Sequence, residues 1–404
     1  MSDVPIDDDA GDELDGVYAP TAPQHAVAQQ PAKTEFEAWH HPRKQYVRIN
    51  QWCAAARALI PELGLGADDP FRYLTLPGDE LLDVRALHGV CATAGVRLRY
   101  LGFNSVGPGT PGQAELALSQ SEVRALSHVD GFSRVMEDRL EAVANDRSPV
   151  FAQARQTGPF HAINIDLCDS IAFREIDGRR GSSLAAVAKL LELQVQSTTP
   201  WLLFITTKAQ PGLVAEFARE GFMRALDANT AASPEFRDEL AGLVESTAEQ
   251  LDDDLEAAWN GQDPRFLRLF CTGLGKWLLA LLSDAAPPRE LVLLSSCYYQ
   301  SGPDGPDMLS LAFRCNTPPQ PLADRFAILP AAPAAAPFSE IETAIRLAGS
   351  IADIFDLDGL LADDAALCDR LIAQAGRLLA TARYREDVYD AWAREALARR
   401  GAPA

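Results

Sequence analysis

Between Phe71 and Asn316 the hydrophobic period switches repeatedly between two and about 3.6. "FRYLTLPG" alternates at period two and stops at Pro77-Gly78, which predicts a strand at 71–76. "DELLDVRALHGVCATAG" then sets Leu81, Leu82, Val84, Arg85 and His88 at helical spacing and ends at Gly95, a normal C-terminal glycine. "VRLRYLGF" predicts a second strand at 97–103; after the loop "NSVGPGTPG", a helical region is expected from about Gln113 to Asn145. "SPVFAQA" reads as a weak strand and "PFHAINIDLCDS" as a strong one at 159–166. "GSSLAAVAKLLELQVQ" is a helix capped by Ser182 or Ser183, and "PWLLFITTKA" is a buried-type strand at 201–207. Helices follow in "GLVAEFAREGFMRALDAN", in "SPEFRDELAGLVESTAEQLDDDLEAAW" and from Asp263-Pro264 onward. "LVLLSSCYY" (291–299) and "MLSLAFRCN" (308–315) flank "QSGPDGPD" and predict an antiparallel hairpin with a longer loop. Strands separated by helices imply an α/β fold: a Rossmann-like mixed sheet, mostly parallel, closed by that hairpin, with only the last strand reversed.

The flanks differ from this body. Residues 1–32 are acidic, Pro- and Ala-containing and without clear period, so a disordered tail is expected. Residues 33–70 form a basic-aromatic segment in which Pro42 suits a helix's first turn and Lys44 to Ile60 a helix. The α/β body spans 71–316, a Pro/Ala linker 317–337, and a helical region 338–404 opened by the capping box "SEIE", Ser339 to Glu342.

Composition narrows the function classes. The 404 residues carry a formal net charge of −21, which repels phosphate backbones at long range and leaves nucleic-acid binding only to a local basic patch. Seven cysteines are scattered with no C-x-x-C pair, and six histidines show no metal-ligand spacing. This disfavours a disulfide framework or zinc knot and predicts a reducing, cytoplasmic setting. The N-terminus lacks a basic start followed by an apolar run. "FLRLFCTGLGKWLLALL" is interrupted by Arg268 and Lys276 and reads as a buried helix, so no membrane association is expected.

The order of elements resembles the class I S-adenosylmethionine-dependent methyltransferase fold, whose hallmark is a final antiparallel strand in an otherwise parallel sheet. The turn Leu76, Pro77, Gly78, Asp79 stands where that family's first strand approaches the cofactor, with one glycine instead of several. Asn104, in "LGFNSV", stands where the second strand carries an acidic group for the ribose hydroxyls. "INIDLCDS" resembles the fourth-strand motif of RNA and DNA methyltransferases: Asp166 takes the acidic position, Leu167 and Cys168 replace the apolar pair, and Asp169-Ser170 follow. The resemblance implies S-adenosylmethionine as cofactor, bound by Leu76, Pro77, Gly78, Asp79 and Asn104. It implies catalytic roles for Asp166, Asp169 and Ser170, with Asp166 holding an acceptor amine in line with the sulfonium methyl. Without the family's proline and aromatic, nothing obvious stacks a base.

Trp39, His40, His41, Arg43, Lys44 and Arg48 form the one basic-aromatic cluster, read either as a substrate, partner or cofactor-covering surface or as packing and internal charge pairing. Arg174, Arg179 and Arg180 follow the strong strand, where such folds place substrate-contacting loops. Cys168 reads as packing, because two flanking carboxylates would raise its pKa. His161 reads as a satisfied core histidine. "GLGK" at Gly273 to Lys276 lacks P-loop spacing, Asp252-Asp253-Asp254 reads as a solvated helix face, and no G-x-S-x-G supports a hydrolase. Two functions stay open: a methyltransferase acting on nucleic acid or a nucleic-acid-bound partner, and an inactive methyltransferase-like scaffold in a bacterial, antiviral-type assembly. A protein partner is expected in the second.

Overall fold

Successive side chains of the central strands alternate between two cores, one on each face of a single sheet. The computed structural model describes residues 32–66, 68–173, 182–302, 305–317 and 338–398. Residues 1–31 of the expected tail, Arg174, Arg179, Arg180 and residues 318–337 of the Pro/Ala segment lie outside the described residues.

The strands are β1 (Phe71–Thr75), β2 (Leu98–Phe103), β3 (Arg134–Met136), β4 (Ala162–Asp166), β5 (Trp201–Lys208), β6 (Glu290–Leu293), β7 (Cys297–Tyr299), β8 (Met308–Asn316) and β9 (Phe355–Asp356). Their order is β3-β2-β1-β4-β5-β8-β7-β9, with β6 also on β8. β8 is antiparallel to β5, β6 and β7, and the remaining pairs are parallel. This is the Rossmann-like mixed sheet with one reversed strand.

The helices are α1 (Pro42–Tyr46), α2 (Ala54–Leu63), α3 (Leu82–Thr93), α4 (Pro111–Arg124), α5 (Pro149–Thr157), α6 (Ser183–Gln194), α7 (Glu216–Ala232), α8 (Pro234–Leu243), α9 (Leu251–Asn260), α10 (Pro264–Ser283), α11 (Glu340–Ile351), α12 (Leu357–Asp363), α13 (Ala365–Ala380) and α14 (Glu386–Ala398). Leu74, Leu101, Ile163, Ile165, Leu203, Ile205 and Leu311 pack one core with α5 to α11. Tyr73, Tyr100, Ala162, Phe204 and Ala312 pack the other with α2, α3, α12 and α13. Each fully buried aromatic such as Phe204 contributes about 2 kcal/mol of apolar burial.

Several elements differ from expectation. "SPVFAQA" is α5, not a strand: Ser148 Oγ accepts from the Phe151 amide at 2.9 Å and Pro149 fills the first turn. The region 113–145 is not one helix; α4 ends at Arg124, and β3 follows Gly131 to extend the sheet edge. "LVLLSSCYY" is broken into β6 and β7. Between Leu293↔Phe313 and Cys297↔Ser310 it has three residues against two, a bulge in which Ser296 Oγ accepts from the Ala312 amide at 3.1 Å. The C-terminal region is helical but does not stand apart. It supplies β9 to the sheet edge, α11 to the first core and α12 to α14 to the second.

α10 is the one helix among the described residues long and apolar enough to cross a membrane, and 72% of that stretch is buried inside the protein. Its "GLGK" is a packing device: a Cβ on Gly273 would lie 2.7 Å from Phe222 Cβ, and one on Gly275 2.9 Å from Leu347 Cδ2. Lys276 pairs with Glu340.

Candidate functional site at the carboxyl edge of the sheet

Strand order reverses between β1 and β4, from which the sheet grows in opposite directions. In open α/β sheets such a switch point opens a crevice beyond the carboxyl ends of the strands. Thr75 pairs with Asn164, and Asp166 with Thr206, which pairs with Ser310. Alternation puts Tyr73, Thr75, Asn164, Asp166, Thr206 and Ser310 on the face that also carries the N-terminal helices.

These side chains form a nearly complete hydrogen-bond layer. Asn164 Nδ2 donates to Tyr73 Oη at 2.9 Å, and Tyr73 Oη donates to Asp83 Oδ2 at 3.0 Å. Thr75 Oγ1 also donates to Asp83 Oδ2, at 2.5 Å. Gln51 Nε2 donates to the Ser295 and Ser310 carbonyls, and Ser310 Oγ donates to Gln51 Oε1 at 2.7 Å. Asn164 Oδ1 and Trp52 Nε1 are buried without partners. Asp83 is half-buried, and Tyr73 and Thr75 both donate to its Oδ2. Desolvation raises its pKa, against the lowering effect of the Thr75 and Tyr73 bonds.

The N-terminal segment closes over this layer. His41 caps α1, its Nδ1 accepting from the Arg43 amide at 3.2 Å, and Pro42 takes the first turn as expected. A π-helical stretch, Val47–Cys53, joins α1 to α2 and widens the helix where Arg48, Gln51 and Trp52 are buried. Lys44 Nζ donates to Asp166 Oδ1 at 2.5 Å and lies 5.9 Å from the Trp52 ring. Burial works most strongly against the Lys44 charge, yet Asp166 and Tyr299 together outweigh it and raise the pKa. The two side chains keep 12% and 24% exposure, so solvent reaches the edge of this layer.

The basic groups of the basic-aromatic cluster are engaged within the chain. Arg43 pairs with Asp358, Lys44 with Asp166, and Arg48 donates to the Trp39 carbonyl at 2.8 Å. His40 and His41 are buried, and burial lowers both pKa values to about 3. Trp52 packs on Phe204 at 6.3 Å, and Trp39 alone is well exposed, at 40%. The cluster is therefore turned inward, by an acidic protein supplying the carboxylates, rather than displayed for phosphates.

The turn after β1 is fixed by Asn104. Its Nδ2 donates to the Pro77 carbonyl at 3.0 Å and to Asp79 Oδ1 at 3.1 Å, while its Oδ1 accepts from the Val106 amide at 2.8 Å. Burial raises the Asp79 pKa, partly offset by the Asn104 bond. A Cβ on Gly112, at the start of α4, would come within 2.6 Å of Asp79 Oδ2, and one on Gly102 within 2.9 Å of Pro77 Cγ. Small residues thus let the turn seat itself. Gly78 is exposed, and a Cβ placed on it would meet only Glu80 Oε2, at 3.8 Å; Leu76 is half-buried beside it. Leu81, the residue before α3, is held at φ 53°, a left-handed conformation unusual for leucine.

Beyond β4 the polar residues diverge in role. Asp169 Oδ1 accepts from the Ser170 amide at 2.9 Å, and its carbonyl accepts from the Lys208 amide. Ser170 is buried, and its Oγ accepts from the Ala172 amide at 3.3 Å. Both shape the turn, and Asp166 alone of the three is seen in a side-chain ion pair. Cys168 is exposed rather than packed as expected, because it lies in the turn beyond β4; desolvation, then Asp166, push its thiol up, with Asp169 adding and Lys44 opposing. No group of three or more His, Cys, Asp and Glu among the described residues could hold a metal ion.

Asp83, Tyr73 and Asn164 were missed from sequence. Asn164 carried a signal, being the one amide inside the apolar run "AINID". Asp83 lay inside the predicted helix "DELLDVRALHGVCATAG" and looked like an ordinary helix-surface acid.

The PP_RS20740-like family model matches residues 33–394. The chain belongs to this family. No curated protein and no solved structure matches it. The PP_RS20740-like match takes in the N-terminal helix that carries Lys44, the whole sheet and α11 to α13, so the segment that closes the crevice lies within the family's matched span.

Proposed function

We propose that this chain is an S-adenosylmethionine-dependent, methyltransferase-like protein whose ligand lies in the β1/β4 crevice. The observation that carries the reading is the sheet itself: a switch point at β1/β4, one reversed strand, and a solvent-reached layer of Lys44, Asp83 and Asp166 at its carboxyl edge. The residues fit such a cofactor in part. Gly78 leaves open space at the turn, and Asp83 brings a half-buried carboxylate to the same edge. Asn104, by contrast, has its amide fully engaged within the loop. The cofactor would supply an activated methyl group. Asp166 would orient an acceptor amine, and Lys44 would have to leave it first. The inward basic groups and the −21 charge favour a compact acceptor over an extended nucleic acid.

A second reading, a non-catalytic scaffold, draws on the Lys44–Asp166 pair and the engaged Asn104, both of which occupy the groups that chemistry would need. Calorimetric titration with S-adenosylmethionine and S-adenosylhomocysteine separates the two. The first reading expects saturable binding that weakens about tenfold in Asp83→Ala, the loss of one charge-assisted contact. Absence of binding at millimolar cofactor in both the wild type and Lys44→Met would leave the scaffold.

A further inference from the structure

At the opposite edge of the sheet lies a groove of about 250 Å³ lined by Leu63, Arg72, Pro159, His161, Ser197 and Thr199, among others. Two features there are left unresolved by the protein's own groups. The first is Arg72. Its Nε donates to the Pro159 carbonyl at 2.6 Å, and no carboxylate among the described residues pairs with it, in a chain with 57 acidic residues. Burial, then Arg99, lowers its pKa, and the charge of Asp69 only partly opposes them.

The second is His161, which is 4% exposed. Its Nδ1 accepts from the Arg72 amide at 3.0 Å, so the neutral ring carries its proton on Nε2. That Nε2 lies 3.2 Å from the Arg72 guanidinium, which can only donate. Two donors therefore face each other. The other tautomer moves the same conflict to Nδ1. An acceptor-only group between them resolves it, taking one bond from each.

We propose that this groove binds a small oxyanion, a phosphate or carboxylate group, held between Arg72 and His161 Nε2–H. Thr198 and Thr199 also line it, and Ser197 braces the loop by donating to the Thr199 carbonyl at 3.0 Å. Asp69 also lines the groove and acts on Arg72 through its charge without a close ion pair, so a bound anion competes with it. The site is independent of the crevice and of the methyltransferase-like reading.

The test is calorimetric titration of the full-length protein with sodium phosphate, sodium acetate and sodium chloride at matched ionic strength. Phosphate or acetate should bind saturably where chloride does not, and the tighter of the two identifies the ligand's anionic group. Arg72→Met should weaken binding at least about tenfold, and Arg72→Lys, which keeps charge but loses the planar fork, should weaken it less. The wild-type His161 Nε2–H proton resonance gives a readout that needs no variant: it should shift saturably with the bound anion. Heats indistinguishable from chloride, an indifferent His161 resonance, or unchanged binding by a folded Arg72→Met would overturn the proposal.

Discussion

The two edges of this sheet handle charge in opposite ways. At the carboxyl edge Lys44 is matched to Asp166, and Asp83 is held by Tyr73 and Thr75. At the amino edge Arg72 has no carboxylate among the described residues and His161 faces a second donor. A ligand at the first edge must compete with internal partners, so its net affinity is a difference between two satisfied states. A ligand at the second edge removes a conflict and gives up little. Charge matching, rather than depth alone, therefore decides how each edge responds to solution conditions.

Acid should produce the largest effect. His40, His41 and His161 are each lowered from 6.5 to about 3, so the folded state keeps them neutral while the unfolded chain takes up protons. The stability they contribute is complete above pH 6.5 and is lost as pH falls towards 3, on the order of 5 kcal/mol between pH 6.5 and 5 for the three together. Denaturant midpoints across that range should fall steeply, and His161→Gln should remove about a third of the slope. An unchanged slope would mean that the amino-edge histidine is already protonated when folded.

Breaking the matched pair comes next. Asp166→Ala should cost about 3 kcal/mol by stranding Lys44, whereas Lys44→Met should cost about 1, because Asp166 keeps a quarter of its surface for water. Since the Lys44 pKa is raised, the pair's contribution is fully present below pH 10.5 and is lost as pH climbs through the raised value. Equal costs for the two variants would show that the pair is a surface contact.

Gly102→Ala should cost about 1–2 kcal/mol, since its Cβ would press Pro77 and Val135. It should displace the β1 turn and weaken crevice ligands while leaving phosphate binding at the other edge intact. Asp83→Asn is the smallest change and has the opposite sign. Burial raises the Asp83 pKa, so its charged form costs stability at neutral pH, and Asn should be slightly stabilising. That gain should vanish as pH falls through the raised pKa, measured by denaturant titration at pH 7 and pH 4.

The sequence made the sheet legible because apolar strands such as "AINID" and "WLLFITT" have few alternatives to burial between helices. It concealed α5 because "SPVFAQA" is short and its apolar residues fit either period; the Ser148–Pro149 start was the deciding sign. It also placed Gly78, Asn104 and Asp166 near one edge, since strand ends are set by topology. Which groups those residues bond to was beyond its reach. The Lys44–Asp166 pair spans 122 positions and Arg43–Asp358 spans 315, so no local pattern encodes them. The tautomer conflict at His161 likewise arises only when β1 and β4 bring Arg72 beside it.

Hydrogen exchange with both ligands tests the contrast most directly. S-adenosylmethionine should protect the amides of residues 76–83, 104–106 and 44–52 and leave 196–199 unchanged, whereas phosphate should protect 71–73, 161 and 196–199 alone. Protection by S-adenosylmethionine confined to the amino edge, or none anywhere at millimolar concentration, would contradict the assignment of the β1/β4 crevice as the cofactor site.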